Sequence, residues 1–175
     1  LENNSAGLRS TGTSCSAPNR RNTGNKIINN TIKHNSKGIT ITQTDTTFIS
    51  NNLFLNNTDK GVEIYFNTEK NNVSSNSFIN NNASDYGTNN NWNISEQGNY
   101  WGNYDTEAEG CFDTDSNLIC DTPYNISGSA GNKDYLPLLG LQILDIIPIQ
   151  VVENVDMVKG KTTLVRSIIK NSGAS

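Results

Sequence analysis

Histidine, methionine and cysteine are scarce in this chain of 175 residues, which contains one, one and three of them. Zinc and copper sites are built from several such side chains at recognisable spacings, and the chain has no such pattern. The single histidine, His34, falls at a repeat position that Asn56 and Asn80 fill elsewhere. We therefore interpret His34 as an outward or corner side chain rather than as a metal ligand or a catalytic group.

Charged and hydrophobic residues are also sparse, at 17% and 33% of the chain, with a net charge of −4 and a pI near 4.9. The 13 Lys and Arg residues do not cluster apart from Arg20-Arg21, so we do not expect nucleic-acid binding. No segment is long and apolar enough to span a membrane. A compact globule would be short of core at this hydrophobic content, whereas a thin solenoid has a narrow interior to fill.

A fixed period runs through the first half of the chain. Two apolar columns step by 22 and then 24 residues, Ile27, Ile49 and Val73 in one and Ile32, Phe54 and Phe78 in the other. Asparagine columns run beside them at positions 30, 52 and 76 and at positions 35, 57 and 81. The apolar runs are too short for helices, so the period predicts stacked β coils, spaced by about 4.8 Å like paired strands.

Each coil contains a further alternating strand, at residues 38–41 and again at 61–64. Gly38 and Gly61 begin these strands, and we expect them to take a positive φ. Asparagine visits the same region at low cost and is expected at the corners. Stacked asparagine side chains are also expected to hydrogen-bond from coil to coil.

The chain opens in the middle of a repeat, because residues 1–8 align with residues 32–39. The step between these segments is 31 residues, so residues 9–24 are predicted to bulge as a loop that carries Cys15. We expect further coils upstream of residue 1.

The segments that follow the coils carry a family resemblance: Gly98-Asn99-Tyr100-Trp101, then Asp121-Thr122-Pro123-Tyr124, then Asp134-Tyr135-Leu136-Pro137-Leu138. They resemble the ending of the right-handed parallel β-helix proteins called periplasmic copper-binding or CASH-type repeats, which are abundant in archaeal cell-surface proteins. The resemblance implies an all-β, right-handed parallel β-helix over residues 1–91 and an aromatic and acidic cap over residues 92–140. The copper label is not expected to carry over, since His34 and Met157 stand alone.

The cap contains an acidic loop in which oxygen-bearing side chains alternate. The best ligand set for a hard cation such as calcium is Asp113, Asp115, Asn117 and Asp121. This set lacks the sixth-position glycine and bidentate glutamate of an EF-hand, and a solvated acidic loop is the alternative. Cys111 and Cys120 flank the loop and favour a disulfide, with two free thiols as the alternative.

The cap also holds the densest aromatic group of the chain, Trp92, Tyr100, Trp101 and Tyr104. Aromatic rings offer apolar faces on which a sugar can stack. A lid over the open end of the last coil is the favoured alternative, because large rings cover an apolar end with few residues.

Composition changes after Gly140, and residues 141–175 read as a linker followed by two or three strands. This tail resembles the beginning of an immunoglobulin-like adhesion module, which implies an incomplete β-sandwich because a complete one needs about seven strands.

The favoured function is a non-catalytic structural or adhesive module of a large exported cell-surface protein, in a surface layer, sheath or filament. Its partners would be other copies, other envelope proteins or surface glycans. Seven N-glycosylation sequons fit export but also arise by chance in such a composition, at Asn3, Asn29, Asn56, Asn72, Asn82, Asn93 and Asn125. One alternative is a carbohydrate-binding module that uses Tyr65 and Phe66, unless these form a coil corner. The other is a polysaccharide lyase, hydrolase or epimerase that uses Glu63 and Asp85.

Overall fold

The computed structural model describes residues 2, 4–11 and 22–140. Within them lie fifteen short strands: β1 (Ala6–Thr11), β2 (Asn22–Thr23), β3 (Lys26–Ile28), β4 (Thr31–Lys33), β5 (Lys37–Thr42), β6 (Thr44–Asp45), β7 (Phe48–Ser50), β8 (Leu53–Leu55), β9 (Lys60–Ile64), β10 (Asn72–Ser74), β11 (Ser77–Ile79), β12 (Ala83–Asp85), β13 (Tyr100–Trp101), β14 (Tyr124–Asn125) and β15 (Lys133–Asp134). The single helical element of this part is a 3-10 turn at Glu107–Glu109. The predicted all-β class is confirmed.

The strands form three parallel sheets that run along a solenoid of about three turns. Their orders are β1-β5-β9-β12, β3-β7-β10 and β4-β8-β11-β13, and each coil contributes one strand to each sheet. A parallel pair, β2-β6, and an antiparallel pair, β14-β15, complete the described strands. Consecutive coils therefore lie on top of one another, and the chain is a parallel β-helix as predicted.

Strand register confirms both predicted apolar columns. Ile49 pairs with Ile27 on one side and Val73 on the other, and Phe54 is likewise flanked by Ile32 and Phe78. All six are buried, with Ile27 the most accessible at 8%. The Phe54 and Phe78 rings stack with centroids 4.8 Å apart. Stacking of this kind adds about 1 kcal/mol per ring pair to the burial itself.

The alignment of residues 1–8 with residues 32–39 is confirmed by β1, in which Leu8 pairs with Ile39. The predicted loop is shorter than expected, because residues 9–11 continue β1 and residues 22–23 form β2. The rest of that loop, with Cys15, lies outside the described residues. So does the tail at 141–175, and its immunoglobulin-like character stays a prediction.

The role expected for Gly38 and Gly61 was wrong. Neither has a positive φ. A Cβ at Gly38 would instead lie 2.4 Å from the carbonyl oxygen of Gly61, so these glycines are needed where neighbouring coils approach closely. The positive-φ corners fall on other residues, including Asn29, Asn51 and Asn56. Asparagine therefore serves the corners as predicted, because it tolerates the left-handed region.

Candidate functional site

Asparagine ladders run along the solenoid beneath its surface. In the first ladder the backbone N–H and side-chain Nδ2 of Asn52 both donate to Oδ1 of Asn76, each at 3.0 Å. Asn76 donates in the same way to Asn99, at 3.1 and 3.0 Å. Asn30 joins at the other end, through bonds of 3.0 and 3.2 Å to Asn52. A buried amide is costly unless its donors and acceptors are paired, and this arrangement pairs them from coil to coil.

This first ladder ends on a carboxylate. Asn99 directs its backbone N–H and its Nδ2 to Oδ2 of Asp134, at 2.7 and 3.0 Å. Asp134 is fully buried and lies on β15, 35 residues further along the chain. A carboxylate accepts hydrogen bonds without donating any, so it can end a chain of donors that all point in one direction.

A second ladder ends in the same manner. Asn71 donates from its backbone and side chain to Oδ1 of Asn90, at 2.9 and 3.0 Å. The side chain of Asn90 then donates to Oδ1 of Asp85 at 2.9 Å. Asp85 is 1% exposed and also accepts from Asn132 at 2.8 Å. Two asparagine ladders therefore finish at buried aspartates on the capped side of the solenoid.

Each terminal aspartate also receives a tryptophan. The Trp101 indole Nε1 donates to Asp134 Oδ2 at 3.0 Å, and Trp92 Nε1 donates to Asp85 Oδ2 at 2.8 Å. The rings continue the apolar stack, since Trp101 lies 4.2 Å from Phe78 between centroids. The opposite side of Trp101 is covered by Tyr124 at 4.1 Å.

Burial governs the electrostatics of Asp134. It raises the pKa of the carboxyl above its ordinary value, and the donors from Trp101, Asn99 and Leu136 offset part of that rise. Close approach of the chain is needed here as well, because a Cβ at Gly98 would lie 2.0 Å from the carbonyl oxygen of Leu136. Gly98 thus lets the segment that carries Asp134 pack directly on the last coil.

The four aromatic residues expected to form one group are placed differently from one another. Trp92 and Trp101 are buried at 1% and 0% exposure, so neither ring offers a face to a sugar. Tyr100 and Tyr104 are half-buried. The hydroxyl of Tyr100 donates to Asp105, which raises the pKa of Tyr100 to about 12. The two tryptophans close the end of the coil stack, in agreement with the lid interpretation.

Side chains of the acidic loop accept hydrogen bonds from backbone N–H groups of the same loop. Asp113 accepts from the backbone N–H groups of Asn117 and Leu118, at 3.1 and 2.9 Å. Asp121 accepts from the backbone N–H and hydroxyl of Thr114, and these bonds lower the pKa of its carboxyl. Asp115 and Asn117 bond to each other and to the loop backbone. The four side chains lie in one loop, but calcium binding there stays a prediction.

The two cysteines beside this loop are joined. Cys111 and Cys120 form a disulfide with their Cα atoms 4.9 Å apart, and both residues are buried. The bond closes the loop at its base. Cys120 is held from the other side by a backbone hydrogen bond to Pro137, which ties the loop to the segment that follows Asp134.

Comparison with known families gives a match over the coils and the start of the cap. The model of the NosD family, "Periplasmic copper-binding protein (NosD)", matches residues 1–106. The chain belongs to this family. No curated protein and no solved structure matches the chain. Because the family is periplasmic, the NosD match indicates an exported or envelope protein.

The copper in the NosD family name is not matched by the side chains described here. Within residues 2, 4–11 and 22–140, no group of three or more His, Cys, Asp or Glu residues is placed to hold a metal ion. His34 is exposed at a corner with φ 56°, the position that Asn56 and Asn80 occupy in the next coils. Cys111 and Cys120 are in a disulfide, so neither provides a thiolate. Met157 and Cys15 lie outside the described part.

The two carboxylates proposed for catalysis do not converge. Glu63 lies on β9 and is paired with Lys37, whereas Asp85 lies on β12 and accepts from the indole of Trp92. Glu63 pairs in register with Ser84, so Asp85 points to the opposite side of the sheet. Lys37 Nζ donates to the carboxylate of Glu63 and to the hydroxyl oxygen of Tyr65, and these hydrogen bonds raise the pKa of Lys37.

The sequons occupy different environments, apart from Asn3, which is outside the described residues. Asn29, Asn56 and Asn125 are exposed, whereas Asn72, Asn82 and Asn93 are half-buried. The half-buried three are engaged through their side-chain oxygens, with Asn91, Lys60 and the backbone of Tyr135 as donors. Asn29, Asn56 and Asn125 are the better placed for a glycan because they are exposed, and Asn56 also accepts a hydrogen bond from the side chain of Asn80 at 2.9 Å.

Sequence reasoning missed the ends of the ladders. Asn99 follows Asn76 by 23 residues, which continues the steps of 22 and 24 and was available as a signal. Asp134 was noticed as part of a family motif, but no period connects it to Asn99.

The described residues contain no helix long and apolar enough to cross a membrane.

Proposed function

We propose that this chain is a non-catalytic structural or adhesive module of a large exported cell-surface protein. The observation that carries the proposal is the hydrogen bonding of the two buried aspartates that end the asparagine ladders. Asp134 accepts four hydrogen bonds, from Asn99, Trp101 and Leu136, and Asp85 accepts four, from Gly87, Asn90, Trp92 and Asn132. Carboxylates bound in this way hold elements together and are not free to exchange protons with a substrate.

The coil stack suits a spacer. Its hydrogen bonds and apolar columns repeat along one direction, so coils can be added without changing the core. The cap then ends the stack by covering the last sheet edges, which would otherwise be open to pairing with another chain. A coil stack that is closed at one end can hold a binding or anchoring element away from the surface to which the protein is attached.

Several finer features belong to the same proposal. The module stands on the outer surface of the cell, in a surface layer, sheath or filament, and its partners are further copies or other envelope proteins. Residues 141–175 begin an immunoglobulin-like adhesion module, and the origin is archaeal. Glycans on the exposed sequons and calcium at the acidic loop fit this setting.

Two separate experiments test the cellular location of the protein and its lack of catalytic activity. Producing cells are treated with a membrane-impermeant biotin reagent while intact and after lysis, with a cytoplasmic protein as the control. We expect the native protein to be labelled equally in both samples, whereas labelling only after lysis contradicts surface exposure.

In the second arm, the purified chain and Glu63→Gln are incubated with a panel of polysaccharides, and new sugar ends are measured. We expect no release by either protein. Release that disappears in Glu63→Gln would assign a catalytic function instead.

A further inference from the structure

The outer face of the β4-β8-β11-β13 sheet carries aliphatic side chains on neighbouring coils. Leu53 and Leu55 flank the buried Phe54 on β8, so both point away from the core. Strand register places Leu55 directly beside Ile79 of β11. Ile79 is 37% exposed, and Leu53 and Leu55 are half-buried. Adjoining aliphatic groups on the outside of a sheet are typical of surfaces that pack against another protein.

This face continues from the coils onto the cap. Tyr100 of β13 pairs with Ser77 of β11 and forms a parallel bridge to Leu138. Leu138 in turn forms an antiparallel bridge to Ile119 of the acidic loop, and all three of these cap residues are half-buried. Six rows of backbone therefore lie side by side from β4 to the acidic loop. At about 4.8 Å per row, the face is about 24 Å long.

Charge is distributed unevenly along the same direction. Residues 1–70 contain eight Lys or Arg and five Asp or Glu, whereas residues 71–132 contain eight Asp or Glu and no Lys or Arg. Of those eight acids only Asp85 is buried. Asp105 borders the face directly, because it accepts a hydrogen bond from the hydroxyl of Tyr100. The coil end of the solenoid is therefore positive and the cap end is strongly negative.

We propose that this face binds a second copy of the chain, with the two solenoids side by side and antiparallel. A two-fold axis perpendicular to the solenoids places the positive coil end of each copy beside the negative cap end of the other. A parallel pair would place the two acidic cap ends together, and like charges in contact oppose association. The interface deepens the proposed structural role, on which it rests, by assigning the surface that joins further copies.

The six rows fix which residues meet in such a pair. The two-fold axis passes between the third and fourth rows, so Ile79 of each copy lies near the axis. Leu53 in the second row of one copy then faces Leu138 in the fifth row of the other. Burial of the aliphatic groups drives association, and the charges set its direction. Because the face is small, we expect a reversible dimer with a dissociation constant in the micromolar range.

Association is measured by sedimentation equilibrium of the 175-residue chain over a wide range of protein concentrations. Ile79→Ser removes an aliphatic group from each copy near the axis, so every dimer loses it twice and the dissociation constant should rise about tenfold or more. Phe48→Ala removes an exposed ring of another sheet and should leave the dissociation constant unchanged. Circular dichroism melting checks that both variants are folded.

Cross-linking determines the direction of the pair. In a Cys15→Ser background, the Leu53→Cys and Leu138→Cys variants are mixed under mild oxidation, with one of them lengthened by a tag so that the mixed dimer has its own size on a gel. A disulfide requires Cα atoms within about 7 Å. In the antiparallel pair the two Leu53 positions are about 14 Å apart, so Leu53→Cys should cross-link to Leu138→Cys and not to itself.

Three results would overturn the proposal. They are a monomer at every concentration, a folded Ile79→Ser variant that associates like the parent, and a Leu53→Cys variant that cross-links to itself, which indicates a parallel pair. None of these results alters the outcome of surface labelling or of the polysaccharide assay, so failure of the interface is distinguishable from failure of the proposed function.

Discussion

Truncation of Asp134 is the most informative perturbation of the cap. In Asp134→Ala, the backbone and side-chain donors of Asn99, the indole of Trp101 and the N–H of Leu136 all lose their acceptor. A buried donor without a partner costs about 1–3 kcal/mol, and water that enters the site recovers part of this. We therefore expect Asp134→Ala to lower the free energy of unfolding by about 3–5 kcal/mol.

The Asp134→Asn variant separates hydrogen bonding from charge. Its amide oxygen can still accept from Asn99 and Trp101, but its NH₂ group then faces the N–H of Leu136. The loss should be about 1–3 kcal/mol, because only the half-buried N–H of Leu136 loses its acceptor.

Because burial raises the pKa of Asp134, the contribution of its protonation to stability is fully present below the ordinary value of 3.8 and is lost as pH rises through the folded-state pKa. The parent should therefore gain stability relative to Asp134→Asn as pH falls from 7 to 4.5.

Urea unfolding followed by tryptophan fluorescence measures both effects. Asp59→Ala is the matched control, since Asp59 is an exposed acid whose 3.6 Å contact with Lys37 should be worth less than about 1 kcal/mol. The reasoning is refuted if Asp134→Ala is no less stable than Asp59→Ala. It is also refuted in its electrostatic part if the difference between the parent and Asp134→Asn does not change with pH.

Three further changes test the ladder, the stack and the loop. Asn76→Ala removes bonds to both neighbouring coils and should cost about 3 kcal/mol, whereas the exposed Asn80→Ala should cost less than about 1 kcal/mol in the same urea assay. Trp101→Phe keeps an aromatic ring in the stack but loses the donor to Asp134, so a melting scan should show a loss of about 1–3 kcal/mol; an unchanged melting temperature contradicts this. Reduction of Cys111–Cys120 should lower stability by about 2–3 kcal/mol, and reductant without effect on the melting temperature would show that the disulfide does not constrain the loop.

The coils could be predicted from the sequence because their information is local and repeated. Ile49 and Phe54 recur at the same spacing as their neighbours, and strand pairing in register follows from that spacing. Asn52 and Asn76 could be assigned to a ladder for the same reason. The roles of Gly38 and Gly61 could not be predicted, because a glycine in the sequence is compatible both with a positive φ and with a close approach of two backbone segments.

The cap could be predicted only in part. The aromatic residues indicated a lid, but nothing in the local pattern joins Asn99 to Asp134 across 35 residues or Trp92 to Asp85. These contacts depend on how the chain returns over the last coil, and that path is not periodic.

Native-state hydrogen exchange at the Asn52, Asn76 and Asn99 amides tests the central claim most directly, because these N–H groups form the ladder that Asp134 ends. We predict that all three exchange only through global unfolding in the parent chain. In Asp134→Ala, Asn99 should exchange first and Asn52 last. Exchange of the Asn99 amide in the parent at the rate of an unstructured peptide would contradict a solenoid closed by a buried carboxylate.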